Sequence, residues 1–104
     1  VVTPVHLAAM EGHIGCMREL LDRGGSVDEE DDGSGTALHC ASVEGRLECV
    51  RELLDRGARV GEKDDEGMQA LHFSSQGGHP RCMRELLDRG ARVDERDNRQ
   101  STAL

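Results

Sequence analysis

An all-α repeat solenoid, a stack of helix–turn–helix pairs joined by β-hairpin-like loops, is the fold class this sequence predicts. Three observations predict it. The tetrapeptide Thr3-Pro-Val-His6 returns 33 residues later as Thr36-Ala-Leu-His39 and again as Gln69-Ala-Leu-His72, and Thr102-Ala-Leu104 opens a further copy. The segment Cys16 to Gly24 recurs unchanged at Cys82 to Gly90, and Arg51 to Val60 recurs unchanged at Arg84 to Val93. Finally, Phe73 is the lone aromatic, with no Trp or Tyr. A core of Leu, Val, Met, Ala and Cys suits many thin layers better than one large centre.

The period divides the chain into repeats at residues 1–32, 33–65 and 66–98, with residues 99–104 starting another. In each, a first helix comes first. Thr3 is a good N-cap, Pro4 suits the first helical position, and Gly12 stops the helix after Glu11. A second helix is predicted from Ile14 to Arg23, with Ile14, Cys16, Met17, Leu20 and Leu21 on one apolar face. On its other face, Arg18 with Asp22 and Glu19 with Arg23 are spaced as i,i+4 ion pairs, about 0.2–0.5 kcal/mol each. Gly24, Gly57 and Gly90 follow as left-handed C′ residues. Pro80 marks the start of the last second helix, because proline is tolerated in a first turn and not in an interior. Each second helix gives way to a polar stretch with one apolar anchor, Val27, Val60 or Val93, which reads as an extended turn or hairpin. The small pairs Ala8-Ala9, Ala41-Ser42 and Ser74-Ser75 share one position in successive first helices and let them approach closely.

Composition narrows the function. Apolar residues are 36% and charged residues 33% of the 104, the balance of a globular protein. The net charge of −8 argues against nucleic acid and anionic lipid, since phosphates must be met by Lys and Arg. No run of eighteen apolar residues occurs, so nothing here is expected to span a membrane. Cys16, Cys49 and Cys82 are one position repeated every 33 residues. Stacked helices hold equivalent positions about 8–10 Å apart, beyond the ~7 Å Cα separation a disulfide allows. They read as reduced thiols on the buried face of the second helices, which points to an intracellular compartment, cytoplasmic or nuclear. Cys40 belongs to the column of Leu7 and Phe73. Val1 is not a translational start and the chain breaks off one turn into a helix, so the sequence reads as one slice of a longer array.

These motifs resemble the ankyrin repeat, with its Thr-Pro-Leu-His opening, Ala-Ala pair, Gly-His step and Leu-Leu followed by Gly-Ala. The resemblance covers essentially the whole chain. It implies a histidine in the first turn of each first helix, bonded locally to the threonine side chain and to neighbouring backbone. Departures are few. Ala37, Ala70 and Ala103 replace the proline, and Gln69 replaces the capping threonine, which predicts a start weakened by about 1 kcal/mol. Asp28, Gly61 and Asp94 replace the hairpin asparagine and so remove a bracing amide, and Arg46 stands where the family has histidine.

Enzymatic chemistry finds no footing here. His6, His39 and His72 are a repeated column, too widely spaced to share a metal and without Cys or carboxylate at ligand spacing. His72 beside Ser74 and Ser75 lacks a nucleophile elbow or oxyanion loop, and Gly33-Ser-Gly35 is too short and too acidic in its surroundings to cradle phosphate. No catalytic residue, cofactor or metal ligand is expected.

Specificity should lie where the repeats differ, at the hairpin tips and the ends of the first helices, which in ankyrin repeats line a concave binding surface. Carried over by register, the partner-contacting residues are Asp32, Gly33 and Gly35 at the first tip and Asp65, Glu66 and Met68 at the second. On the first helices they are Met10 and Glu11, Val43 and Glu44, and Gln76. The tips are acidic: Asp28 to Asp32 is a run of five carboxylates with no cation, whereas the second tip has Lys63 alone among Glu62, Asp64, Asp65 and Glu66. The expected function is therefore a non-catalytic, monomeric protein–protein interaction module that takes a basic or basic–apolar segment of a partner protein. The same charge pattern also describes a solvated edge that keeps the protein in solution. A structural spacer, or an intramolecular regulatory domain of a larger multidomain protein, is the alternative.

Overall fold

The computed structural model describes residues 2–33 and 35–93. The third connection beyond Val93, with Asp94, and the opening of the fourth copy, with Thr102 and Ala103, lie outside the described residues. Among the described residues six helices follow in order: α1 (Pro4–Glu11), α2 (Ile14–Asp22), α3 (Ala37–Glu44), α4 (Leu47–Asp55), α5 (Ala70–Gln76) and α6 (Pro80–Asp88). They form three antiparallel pairs, stacked so that first helices pack on first helices and second helices on second helices. Among the described residues no strand is present.

Helix boundaries follow from local chemistry. Thr3 caps α1 by accepting the His6 backbone N–H, and Pro4 sits in the first turn where its missing N–H costs nothing. Gly12 and Gly45 end α1 and α3 in the left-handed region (φ 74° and 72°). At Gly45 a side chain is excluded twice over, because an added Cβ would lie 2.5 Å from the His79 ring. The expected weak start at Gln69 takes a different form. Helix α5 still begins at Ala70, the Gln69 N–H donates to His72 Nδ1, and the Gln69 amide donates to the Gly61 carbonyl at 3.0 Å. The bracing amide that Gly61 lacks is thus supplied from the next helix.

The first helices are in closer contact with one another than the second helices are. Ala8, Ala9, Ala41, Ser42 and Ser74 are all 5% exposed or less, and no bulky side chain holds these helices apart. Met17, Leu38, Leu53, Leu71 and Leu86 fill the layers between the pairs and are fully buried. Each layer is thin, so burial of any position depends on whether a neighbouring pair covers it.

That dependence corrects the cysteine expectation. Cys49 and Cys82 are 1% exposed, but Cys16, in the same column, is exposed. The column faces the preceding pair: Cys49 lies near Arg18 of α2, and Cys82 near Arg51 of α4. Among the described residues no helix covers that side of α2. Burial raises the thiol pKa of both Cys49 and Cys82.

A second correction concerns the ion pairs. Glu19 and Arg23 do pair within α2, at 2.6 Å. Arg18 and Asp22 instead reach to the next repeat, Arg18 to Glu52 at 3.1 Å and Asp22 to Arg56 at 2.8 Å, while Arg56 also holds Glu52 at 2.7 Å. The pattern repeats one layer on, with Arg51 and Arg89 on Glu85 and Arg89 on Asp55. A carboxylate that accepts from two guanidiniums offers more than one local partner, so the long side chains bridge the shallow groove between helices. These pairs are largely exposed, and each adds little to stability alone. Both Arg56 and Glu52 have pKa values moved toward the charged form by their mutual hydrogen bond.

Candidate partner-binding face

The hairpin tips are built by one aspartate each. Asp31 Oδ1 accepts the N–H groups of Gly33 and Gly35, both at 2.9 Å, and the Asp31 N–H donates to the Gly35 carbonyl at 2.8 Å. One period later, Asp64 Oδ1 accepts from Glu66 and Met68 at 2.9 Å, and its N–H donates to the Met68 carbonyl at 3.0 Å. The β-hairpin-like loops are therefore turns folded around a carboxylate. Successive tips are tied by the Asp65 N–H, which donates to the Gly33 carbonyl at 3.0 Å.

Histidines pin the tips to the first helices. His6 Nδ1 lies 2.6 Å from Thr3 Oγ1, and His6 Nε2 is 3.0 Å from the Gly35 carbonyl. His39 repeats the arrangement. Its Nδ1 accepts the Thr36 N–H at 3.0 Å, so Nε2 carries the proton and donates to the Glu62 and Met68 carbonyls at 2.9 and 3.0 Å. The local bonds implied by the family resemblance are present, and the His6 and His39 rings each add a bridge to the next repeat, whereas the buried His72 Nε2 has no partner among the described residues. Burial lowers the His39 pKa below its ordinary value, against the opposing pull of the Met68 carbonyl and of Asp64. With both nitrogens of His6 and His39 engaged, neither ring is placed as a ligand or base. No group of three His, Cys, Asp or Glu side chains gathers around a metal-sized space among the described residues.

Beside the first tip lies an open cavity of about 360 Å³, lined mainly by apolar surface. Cys40, Val43, Phe73 and Val2 form its apolar part, and Asp31, Asp32 and Asp64 its acidic edge. The Phe73 ring meets the His39 ring edge-on, with centroids 5.4 Å apart, which fixes both against the cavity. Cys40 also lines it, and its thiol pKa is pushed up to about 11, first by burial and then by Asp31 and Glu44. It is a small apolar surface here rather than a nucleophile.

The residues expected at this face divide. Glu11, Asp32, Gly33, Val43, Glu44, Asp65, Glu66 and Gln76 are exposed, and Met10 is partly so. Met68 is not: it is 3% exposed, because its backbone closes the second tip against Asp64 and His39 and draws its side chain inward. Gly35 is buried as well, its carbonyl taken by His6. Neither can offer a surface to a partner. Conversely, Leu7 (51% exposed), Cys40 and Phe73 form a varied column that lies outside the expected set. Its Leu–Cys–Phe variation was the available signal, hidden because large apolar residues on a helix read as core. The structural role of Asp31 and Asp64 was hidden too, inside a run of carboxylates that all look alike.

The comparisons with known proteins agree with this architecture. A family model described as ankyrin repeats in three copies matches residues 2–64, and a single ankyrin-repeat model matches residues 66–98. A search of curated proteins finds no match. Ankyrin repeats are in general protein-interaction modules and a non-catalytic fold. With residues 2–64 and 66–98 matched, the chain belongs to the ankyrin-repeat family.

Proposed function

We propose that this chain binds a segment of a partner protein on the face formed by the hairpin tips and first helices, and that the segment carries an apolar side chain flanked by Lys or Arg. The observation that carries the reading is the cavity of about 360 Å³ whose apolar part, Cys40, Val43 and Phe73, is edged by Asp31, Asp32 and Asp64. An apolar side chain would be desolvated in the cavity while a cation beside it meets the carboxylates, so one short segment satisfies both. Asp65, Glu66, Glu11 and Glu44 extend the negative field along the same face. Met10, Val43 and Gln76, at one position of successive first helices, supply the variation that selects among partners.

A displayed library of random peptides, panned against the chain, tests the reading. Selected sequences should pair a Leu, Ile, Met or Phe with neighbouring Lys or Arg, and their association should slow as salt rises, since screening acts over about 10 Å at 0.1 M. Reversing Asp32, Asp65 and Glu66 to lysine should lower the association rate, and Val43→Ser should speed dissociation. Enrichment of acidic peptides, or binding that ignores these changes, would sink the proposal.

A further inference from the structure

We propose that the groove between α4 and α6 binds a phosphate group, either free or esterified to a partner side chain. The groove, about 740 Å³, is lined by second helices and by the C-caps Gly12 and Gly45, and by none of the tip residues. Four arginines line it, Arg46, Arg51, Arg81 and Arg84, in a chain whose net charge is −8.

The repeat itself separates structural arginines from the others. Arg51 occupies the column Arg18–Arg51–Arg84, and its bond to Glu85 at 3.1 Å is the counterpart of Arg18 on Glu52. Arg46 and Arg81 have no such explanation. The Arg46 column reads His13, Arg46, His79, and the Arg81 column reads Gly15, Glu48, Arg81. Arg46 Nε donates to the Met10 carbonyl at 3.0 Å, the same bridge that His79 Nε2 makes to the Val43 carbonyl at 2.9 Å. An imidazole therefore suffices for the structural task, and the remaining guanidinium donors of Arg46 are surplus to it. Among the described residues neither Arg81 nor Arg84 has an ion pair or hydrogen-bond partner on its side chain.

Three carboxylates also line the groove, Glu48, Glu85 and Asp88. Glu85 is already held by both Arg51 and Arg89. Glu48 and Asp88 remain at its edge, and beside them the guanidinium forks of Arg46, Arg81 and Arg84 line one open space, with no lysine among them. A carboxylate has two acceptor oxygens and one charge, and Glu85 spends both on two arginines, whereas a phosphate dianion has three acceptor oxygens and twice the charge and can meet more forks at once. That chemistry selects phosphate over a simple acidic side chain, and it is independent of the tip-side face.

Amide chemical shifts of the chain test this during titration with inorganic pyrophosphate, with a phosphoserine peptide, and with the unphosphorylated parent peptide, at constant ionic strength. Shifts should cluster at residues 46–51 and 81–88. Preference for the phosphopeptide assigns the phosphate to a partner, and pyrophosphate binding alone assigns it to a free anion. Arg46→His and Arg81→Glu each install a residue another repeat carries in that position, so the fold should stand, and together they should weaken binding at least tenfold. Arg46→His alone, which can keep the Met10 bridge, should weaken it several-fold should the double variant unfold. Arg59→Gln, outside the groove, should change nothing. The inference is overturned by shifts spread evenly over all exposed arginines, by unchanged affinity in the variants, or by equal binding of the unphosphorylated parent.

Discussion

Leu20, Leu53 and Leu86 occupy one position of three second helices and sit in the same local sequence, Arg-Glu-Leu-Leu-Asp-Arg-Gly. Their burial differs: Leu53 and Leu86 are 0% exposed, whereas Leu20 is only partly buried against the core. Truncating Leu53 to alanine removes a fully buried side chain and leaves a cavity between two layers, so it should cost roughly 2–5 kcal/mol. Leu86→Ala belongs in the same range. Leu20 has solvent on one side, so its truncation leaves a notch instead of a closed void, and the loss should be about 1 kcal/mol or less. Domains of this size have total stabilities of roughly 5–15 kcal/mol, so the Leu53 variant should be near the edge of folding. Urea denaturation followed by circular dichroism reads the series. With a slope of roughly 1–3 kcal/mol/M, the Leu53 midpoint should fall by about 0.7–5 M, and the Leu20 midpoint by much less. Equal losses at all three positions would show that burial is set within each helix pair and not by stacking, and would refute the layered core.

The cysteine column gives a parallel test: iodoacetamide should label Cys16 quickly in the native state and Cys49 and Cys82 only on unfolding, and native labelling of all three at one rate would contradict the stack. Ser42 is fully buried in a column that otherwise begins with Ala9, and its hydroxyl finds no partner among the described residues. Ser42→Ala should therefore raise stability by about 1 kcal/mol, and a loss of that size would mean the hydroxyl is bonded in solution. For His39 the folded pKa is depressed, so the unfolded chain takes up a proton first as pH falls below its ordinary value of about 6.5. The stability it contributes is whole above that pH and is lost below it down to the folded pKa, at no more than about 1.4 kcal/mol per pH unit. Urea midpoints at pH 7.5 and 5.5 in the native chain and in His39→Asn measure this, and an imidazole NMR titration placing the folded pKa above 6.5 would reverse the sign.

Much of the fold was legible because the repeat states each local rule several times. Helix starts at Pro4 and Pro80 and the glycine stops are short-range consequences of dihedral preference and capping, which depend on adjacent residues only. The histidine column and the small pairs of the first helices were equally plain, since a period of 33 aligns them without any structure. What periodicity could not supply was the difference between copies. Cys16 and Cys82 open the same nine-residue segment and have opposite exposures. Met68 reads as a surface methionine until the turn around Asp64 draws it inward, and Asp31 reads as one more solvated carboxylate until its oxygen closes the first tip. Arg18 and Asp22 have the spacing of partners and pair elsewhere.

The sequence by itself determined the modules: six helices, their caps, their apolar faces and the family they belong to. Only the tertiary structure decided which faces are covered, which carboxylates fold a turn, and that Arg46 and Arg81 line one groove. The physical reason is range. Capping and helical periodicity act over about four residues, whereas burial, the bridge from His39 to the next tip and the arginine ladder join residues 23 to 36 positions apart, and a distance of that kind exists only once the pairs have stacked.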